Sequence, residues 1–331
     1  MTAAPTTPPP DAPRLRVASL LPSTTEMVCA LGLEHALVGI SHECDFPPGV
    51  GGRPVLTAAK GGIGHASATS ADIDRGVREL LRDALAVYDI DVEALERARP
   101  DVILTQDLCD VCAVSFEDVV CAARALSNPD VRIVNLHPTH LADVWNDIRT
   151  VGAALGRAAA AEELVAGLLA RVEVVRARAA SAATRPNVLT IEWIEPVMIG
   201  GTWMPELVEL CGGRALVAQP GDHAPTLTID ELAALDPAPD VVVVKPCGFA
   251  IERTLHEAGV LRDLLASVDW PAVRTGSVWV ADGNAYFNRP GPRIADSLEI
   301  LAACVHPALF ADMAAAHAGG FVRFEEAVRC T

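Results

Sequence analysis

The segment "QDLCDVC" (residues 106–112) carries two cysteines at C-x-x-C spacing, directly after the apolar run "DVILT". Thiols at this spacing can hold zinc or form a redox disulfide. A structural zinc site usually draws its four ligands from two such pairs, and this chain has only one. The pair also lacks the Trp-Cys-Gly-Pro-like context of a thioredoxin redox pair. We therefore expect Cys109 and Cys112 to be reduced, at a cleft rim, in neither a zinc knuckle nor a disulfide.

Other cysteines follow predicted strands as well. Cys44 lies in "SHECD" and Cys247 in "KPCGF", and a weak internal repeat pairs Gln106 with Lys245. Four thiols are therefore expected on the cleft side: Cys44, Cys109, Cys112 and Cys247. They either shape the loops or contact a ligand or its metal. The remaining cysteines in helical patterns are expected to be buried small apolar residues: Cys29, Cys121, Cys211 and Cys304.

The same loops carry side chains suited to ligand binding. Four aromatic side chains lie in these loops: Trp193, Trp203, Tyr286 and Phe287. Their flat, amphipathic rings suit the binding of a large planar ligand, and the alternative is that they fill the bases of the loops. Polar groups are expected beside the rings: His42, Glu43, Gln106, Thr202, Lys245 and Asn288. Arg289 and Arg293 in "NRPGPR" suit carboxylate, amide or phosphate recognition, and a salt bridge between lobes is an equal alternative.

Two loops lead into predicted helices. "LPSTTE" supplies Pro22, Ser23 and Thr24, and "GTWMPE" places Pro205 in a first helical turn. Helix N-termini facing a cleft offer backbone N–H groups to an anionic or amide-rich ligand. Ordinary capping of the first helix by Ser23 or Thr24 is the alternative.

The elements that must position these residues alternate between strand-like and helical patterns. Seven β-branched runs are predicted as strands, at 16–20, 36–40, 101–105, 131–136, 187–191, 240–244 and 277–281. Helical spacing between them predicts parallel α/β layers, with ligands beyond the carboxyl ends of the strands. Helices at 141–155 and 158–180 separate the two halves. We expect a Pro-rich lead-in at 1–13, lobes at 14–140 and 185–331, and a helical connector at 141–184.

Composition excludes several classes of function. The 331 residues carry a formal charge of −17, which argues against nucleic acid or an anionic membrane as a partner. No apolar run is long enough to insert into a membrane, and nine cysteines without a signal peptide indicate a reduced cytoplasmic setting. "KGGIGHAS" (60–67) lacks the G-K-[S/T] ending of a phosphate loop, and no hydrolase motif is present.

Four segments together resemble a known family: "SLLPSTTEMVCALGLEHALVGISHECDFP", "PDVILTQDLCDVCAVSFEDV", "EWIEPVMIGGTWMPELVELCGG" and "DGNAYFNRPGPR". The chain is similar, over about residues 14–310, to the cobalamin-binding, class III periplasmic-binding-protein-like family, in a leaderless branch described as ABC-transporter substrate-binding proteins. The resemblance implies two Rossmann-like lobes joined by a rigid helix, with a tetrapyrrole, siderophore or corrinoid between them. It also implies ligand contacts from Pro22, Ser23, Thr24, Trp193 and Trp203.

The leading hypothesis is a cytoplasmic, non-catalytic binding protein for cobalamin, another corrinoid or a related large cofactor. Without an export signal, an importer is not expected as its partner. The rival is an enzyme acting on a small molecule or metal complex in a thiol-lined cleft, although no motif names a reaction. A third hypothesis is a binding module that regulates a partner protein.

Overall fold

The structure, a computed structural model, describes residues 15–60, 67–82, 88–106, 116–124, 126, 128 and 130–329. In the first half the strands are β1 (Val17–Ser19), β2 (Leu37–Ile40), β3 (Thr57–Ala59), β4 (Tyr88–Ile90), β5 (Val102–Gln106) and β6 (Arg132–Leu136). Four of them form a parallel sheet in the order β2-β1-β5-β6, and β3 pairs with β4 in a separate antiparallel ribbon. All four strands predicted here are confirmed.

Helices cover both faces of this first sheet. They are α1 (Pro22–Ala30) on one face and α3 (Val92–Ala98) and α4 (Phe116–Arg124) on the other. The first half also contains α2 (Ser70–Arg82) and short 3₁₀ turns at Glu34–Ala36 and Val50–Gly52. Strand β5 shows why both faces must be covered. Val102 and Leu104 enter the core on the α1 side, whereas Ile103 packs with Leu95 of α3 and Val119 of α4 on the other. This alternation is what a strand buried on both faces requires.

Two long helices join the halves, α5 (Leu141–Ala154) and α6 (Ala158–Ala179). Their apolar stripes match the helical spacing expected from the sequence. Gly152 lets the pair approach closely, because a Cβ at this position would lie 2.4 Å from the Cβ of Ala161. At 1.5 Å per residue, α6 is roughly 33 Å long, enough to run along both lobes.

The second half contains β7 (Asn187–Trp193), β8 (Val197–Ile199), β9 (Arg214–Ala215), β10 (Thr226–Leu227), β11 (Val241–Val244), β12 (Val278–Ala281) and β13 (Phe321–Arg323). Strands β9, β7, β11 and β12 are parallel neighbours, as expected. Strands β8, β10 and β13 pair antiparallel at the margins, so this sheet is mixed rather than wholly parallel. These strands have two or three residues, too few to show periodicity in the sequence.

The helices of the second half are α7 (Met204–Leu210), α8 (Ile229–Ala233), α9 (Ile251–Leu255), α10 (Ala258–Ala266), α11 (Pro271–Arg274), α12 (Ile294–Val305), α13 (Ala311–Ala316) and α14 (Phe324–Arg329). Pro205 lies in the first turn of α7, as predicted. Within the described residues, no helix is long and apolar enough to cross a membrane.

The largest core is continuous between the halves. It joins Val17 and Val102 of the first sheet to Val188 and Val241 of the second, through apolar residues of α5, α6, α7 and α12 such as Val172. Smaller cores fill the outer face of each sheet. The two sheets are therefore two lobes built against one shared set of helices.

Candidate functional site

The carboxyl edge of the first sheet, here called the first-lobe edge, ends in buried hydroxyl groups. Ser19 ends β1, and its Oγ lies 2.7 Å from the hydroxyl of Thr24 and accepts a hydrogen bond of 2.7 Å from Thr25. The Thr25 hydroxyl also lies 3.1 Å from the Sγ of Cys44. These side chains are buried and neutral, so this part of the edge is polar without carrying charge.

A second group of polar residues continues this edge outward. The Thr57 hydroxyl donates to Ser41 Oγ at 3.1 Å and lies 2.7 Å from Nδ1 of His42. The His42 ring packs edge-on against Tyr88, whose hydroxyl donates to Glu43 at 2.8 Å. His42 and Glu43 are exposed, so of the predicted polar residues these two lie at the surface.

The N-terminus of α1 differs from the capping prediction. Leu21 is the N-cap without a side-chain hydrogen bond, Pro22 opens the helix, and the Thr24 hydroxyl donates to the Leu21 carbonyl instead. Capping by Ser23 or Thr24 is therefore wrong. The Oγ of Ser23 and the Oε1 of Gln106 are buried and have no hydrogen-bond partner in the described part of the chain.

The carboxyl edge of the second sheet, the second-lobe edge, is charged. Lys245 follows β11 and is fully buried; its Nζ donates to Glu192 at 2.9 Å and to Asn288 Oδ1 at 2.8 Å. Asn288 in turn donates to the carbonyl of Lys245 at 3.2 Å and that of Gly283 at 2.9 Å. A Cβ at Gly283 would lie 2.0 Å from the Pro246 carbonyl oxygen, so the two loops meet only because this residue is glycine.

Four charged residues join the two edges, and we call them the interlobe cluster: Glu26, Asp45, Arg289 and Arg293. Arg289 donates to Asp45 at 2.6 and 3.1 Å and to Glu26 at 3.2 Å, while Arg293 donates to Glu26 at 3.0 and 2.6 Å. Burial raises the pKa of Asp45, but the hydrogen bonds and charge of Arg289 outweigh this effect and hold it below its ordinary value. Asn284 adds a hydrogen bond to Asp45 at 2.7 Å. The salt-bridge alternative for the two arginines is thus the arrangement observed.

Aromatic rings and backbone close around this cluster. The guanidinium of Arg293 lies over the ring of Phe46 at 4.1 Å and 5.6 Å from the ring of Tyr286. Burial is the main cause that raises the pKa of the half-buried Tyr286 hydroxyl. Gly291 lies directly over Ser23, since a Cβ on the glycine would be 3.3 Å from the Ser23 carbonyl oxygen. The 284–293 loop therefore covers the start of α1.

Helix α2 makes a separate contact between the lobes. The backbone N–H of Ser70 donates to Glu257 at 2.8 Å and its hydroxyl does so at 2.5 Å, so a buried carboxylate of the second lobe caps this helix of the first. Trp193 donates its indole N–H to the Ser70 carbonyl at 3.2 Å and packs on Phe249. An open cavity of about 410 Å³ lies beside this contact, lined by Ala71, Asp74, Arg75, Arg78, Glu195 and Pro196.

Trp203 does not lie where the sequence placed it, whereas Thr202 is half-buried in the loop after β8. Trp203 is 3% exposed in the shared core, and its indole N–H donates to the carbonyl of buried Phe287 at 2.8 Å. Its role is to brace the 284–293 loop from below, so a cleft-lining position is wrong. The Thr202 hydroxyl donates to the adjacent Gly201 carbonyl, and its backbone has a φ of +51°.

The thiol predictions divide three ways. Cys44 is buried, and burial raises the pKa of its thiol to about 11, so it is a protonated thiol at neutral pH. Cys247 is half-buried at the second-lobe edge. Cys109 and Cys112 lie outside the described residues. The enzyme hypothesis therefore gains no activated nucleophile from Cys44.

The cysteines in helices were expected to be buried. Cys211 and Cys304 are buried, Cys29 is half-buried, and Cys121 is exposed. The prediction for Cys121 is wrong because its position on α4 points away from Val119 and Ala122, which face the core.

One group beyond the edges has metal-ligand residue types. Atoms of Asp296, Glu299 and His317 lie within 4.8 Å of one another. Arg171 already donates to Glu299 at 2.8 Å and to Asp296 at 2.5 Å. Burial raises the pKa of Glu299, but His317 and Arg171 outweigh it and bring the pKa to about 2. This group is an ion-pair network between α6 and α12.

Sequence reasoning missed the acidic half of the interlobe contacts. Glu26, Asp45 and Asn284 all stand inside segments selected for other residues, and the signal was the presence of acids in one loop and arginines in another. Ser70 and Glu257 lie in no predicted strand-end loop, so nothing in the sequence singled them out.

Comparison with known proteins identifies the relatives of this architecture. A periplasmic heme-binding protein, RhuT from Roseiflexus sp. RS-1, superposes with a TM-score of 0.65 at 20% identity, covering 90% of this chain and 100% of that one. The periplasmic vitamin B12 binding protein BtuF of Vibrio cholerae gives 0.63 at 19% identity, covering 88% and 97%. A periplasmic heme-binding protein from Pseudomonas aeruginosa gives 0.66 at 21% identity, covering 88% and 93%. These are two-lobed proteins, and the likeness confirms the expected fold.

A search among curated proteins gives no match for this sequence. The family model described as "Periplasmic binding protein" matches residues 17–285, which include both sheets except β13 and end within the 284–293 loop. Because that match spans most of the chain, this protein belongs to the periplasmic binding protein family.

Proposed function

We propose that this protein binds a large metal chelate, a corrinoid or a related tetrapyrrole, between its two lobes and releases it chemically unchanged. The observation that carries the proposal is the meeting of the two edges through the interlobe cluster, with Tyr286 and Phe46 beside it. Ligands of open parallel sheets bind beyond these edges. Solved structures with this fold include a vitamin B12 binding protein and heme-binding proteins.

The side chains at the edges suit holding a ligand rather than reacting with it. The first-lobe edge offers hydroxyl groups, and the second-lobe edge offers a lysine already paired with Glu192. We propose that Trp193 and Tyr286, both half-buried, provide ring faces to a planar ligand once the lobes part slightly. Ligand entry then exchanges contacts between lobes for contacts with the ligand.

Visible absorption tests this proposal directly. Purified protein is titrated with aquocobalamin, cobinamide and heme, with an unrelated protein of equal charge as the control. We expect a saturable spectral change with at least one chelate at a stoichiometry of about one per chain, on the order of micromolar affinity or tighter. The absence of a saturable change with all three would overturn the proposal, as would release of a modified chelate.

We also propose that the protein works in a reducing compartment, the cytoplasm, and retains its ligand there rather than delivering it to an importer. Every cysteine in the described part of the chain is a free thiol, and burial first, then the neighbouring Cys211, raises the pKa of Cys304 well above its ordinary value. Fractionation of cells expressing the native gene provides the test. Recovery in a periplasmic or extracellular fraction would contradict it.

A further inference from the structure

The cationic groups at the two edges are all neutralised by carboxylates of the protein itself. Among the described residues there, Lys245 pairs with Glu192, and Arg289 and Arg293 pair with Glu26 and Asp45. Three cations thus meet three carboxylates. The side chains of Lys245, Arg289 and Glu26 are 0%, 7% and 2% exposed, so both cations and the carboxylate that Arg289 shares with Arg293 are buried, whereas Glu192 and Asp45 keep contact with water.

A ligand carboxylate would meet this arrangement unfavourably. To bind an arginine it must displace Glu26 or Asp45, and the buried Glu26, once displaced, loses the ion pairs that compensate for its removal from water. The exposed acids nearby, Glu43 and Glu195, and the net charge of −17 add repulsion. Electrostatics at these edges therefore disfavour an anionic ligand periphery.

At the first-lobe edge, two polar atoms without a hydrogen-bond partner among the described residues belong to uncharged side chains. The Oγ of Ser23 and the Oε1 of Gln106 are both at least nine-tenths buried and lack a hydrogen bond within the described ranges. Successive strand residues point to opposite faces, so Gln106 shares the face of Val102 and Leu104, the face on which α1 and Ser23 lie. Buried acceptors are normally satisfied, so two on one side of one sheet edge that lack partners among the described residues are available to a donor from a ligand.

We propose that Ser23 and Gln106 form an acceptor subsite for uncharged hydrogen-bond donors of the ligand, primary amides above all, and that the loop arginines bind the other lobe rather than ligand carboxylates. The inference rests on the proposed function and deepens it. It selects, among large chelates, those whose periphery carries amides, such as cobinamide, over those whose periphery carries carboxylates.

Two ligands with one ring separate this inference from the proposed function. Cobinamide and cobyrinic acid share the cobalt corrin, but the first carries amides where the second carries carboxylates. At pH 7.5 we expect cobinamide to bind at least about tenfold more tightly. Equal affinity, or tighter binding of cobyrinic acid, overturns the inference and leaves the proposed function standing. Binding of neither corrinoid, nor of heme, overturns both.

Single substitutions test whether Ser23 and Gln106 cause the preference for cobinamide over cobyrinic acid. Ser23→Ala and Gln106→Leu should each weaken cobinamide binding about tenfold while leaving cobyrinic acid binding unchanged. Thr105→Val is the matched control, since the Thr105 hydroxyl is equally buried and unpartnered but points to the opposite face of β5. Unfolding midpoints confirm that the variants fold. A cobinamide-to-cobyrinic-acid ratio unchanged by both test variants, or lowered equally by the control, overturns the subsite.

Discussion

The two carboxyl edges of this protein face each other, but different kinds of polar group are buried at them. The first-lobe edge holds a chain of neutral hydroxyls, Ser19, Thr24 and Thr25, that ends at the thiol of Cys44. The second-lobe edge buries a full charge, Lys245, against Glu192. Neutral groups tolerate an unmet hydrogen bond far better than a charge tolerates an unmet counter-ion.

The two edges also differ at matching positions of the weak repeat. Within the described residues, Ser23 Oγ and Gln106 Oε1 of the hydroxyl edge have no hydrogen-bond partner, whereas Lys245, at the repeat position of Gln106, has two. Matching positions of the weak repeat therefore carry a neutral side chain in the first lobe and a charged side chain in the second. We expect the neutral edge to tune ligand preference and the charged contacts to set stability.

Removing Glu26 should have the largest effect, because it leaves the largely buried Arg293 without its carboxylate and leaves Arg289 with Asp45 as its remaining carboxylate. We expect Glu26→Ala to lower the free energy of unfolding by about 4 kcal/mol, measured by urea denaturation. Glu34→Ala is the control: Glu34 also pairs with an arginine but is 49% exposed, so a loss under about 1 kcal/mol is expected. Equal losses in the two variants would show that the interlobe cluster is not the buried charge centre described here.

The Lys245–Glu192 pair should respond unequally to loss of either partner. Glu192→Ala leaves an ammonium with 0% exposure and should lower the free energy of unfolding by about 3 kcal/mol. Lys245→Met leaves a carboxylate that is 25% exposed and can hydrate, so a loss of about 1 kcal/mol is expected. Chemical denaturation of both variants measures the asymmetry, and the reverse order would contradict it.

An unpaired acid on α5 provides a pH test of the first lobe. Burial, and then the charge of Asp143, raise the pKa of Asp147 from 3.8 to about 7. The folded state then holds this proton more tightly than the unfolded state does, so the contribution of Asp147 to stability is highest below about pH 4 and falls as pH rises to about 7. Asp147→Asn should remove this fall.

The Asp147→Asn variant should match the natural protein in stability at pH 4 and exceed it by about 2 kcal/mol at pH 8, about half of the upper limit that the shift implies. Thermal or urea unfolding across this range measures the difference. Parallel profiles for the two proteins would show that the acid is solvated in solution.

The smallest effect is expected from the hydroxyl chain. Thr25→Val keeps the shape of the side chain but removes its hydrogen bonds to Ser19 and Cys44, and should lower the free energy of unfolding by about 1 kcal/mol. Thr150→Val, at an exposed helical hydroxyl, should change it by less than about 0.5 kcal/mol. A loss near 3 kcal/mol for Thr25→Val would mean that this edge depends on its hydrogen bonds as strongly as the other depends on charge.

Most of the fold was predictable from the sequence because its main signals are local. Runs such as "DVVVV" identify buried strands, and the helical stripe of residues 158–180 identifies α6 to within one residue. The marginal strands β8, β10 and β13 were not predictable, since two or three residues carry no period and their pairing depends on neighbours distant in sequence.

The sequence predicted which loops form the site, but not the position and contacts of each residue in those loops. Trp193 ends β7 and Trp203 follows β8, and only tertiary packing places Trp203 in the core and Trp193 between the lobes. Likewise, the sequence supplied Arg289 and Glu26 but not their 3.2 Å contact across 263 positions of chain.

The continuous core between the sheets has a calorimetric consequence. Val17, Val172 and Val241 belong to one packed cluster, so melting either lobe exposes the helices that support the other. The heat absorbed on melting should then follow a single transition whose calorimetric and van't Hoff enthalpies agree, as in a one-domain protein. A cofactor bound at the edges would raise the melting temperature of the whole chain and not that of one lobe.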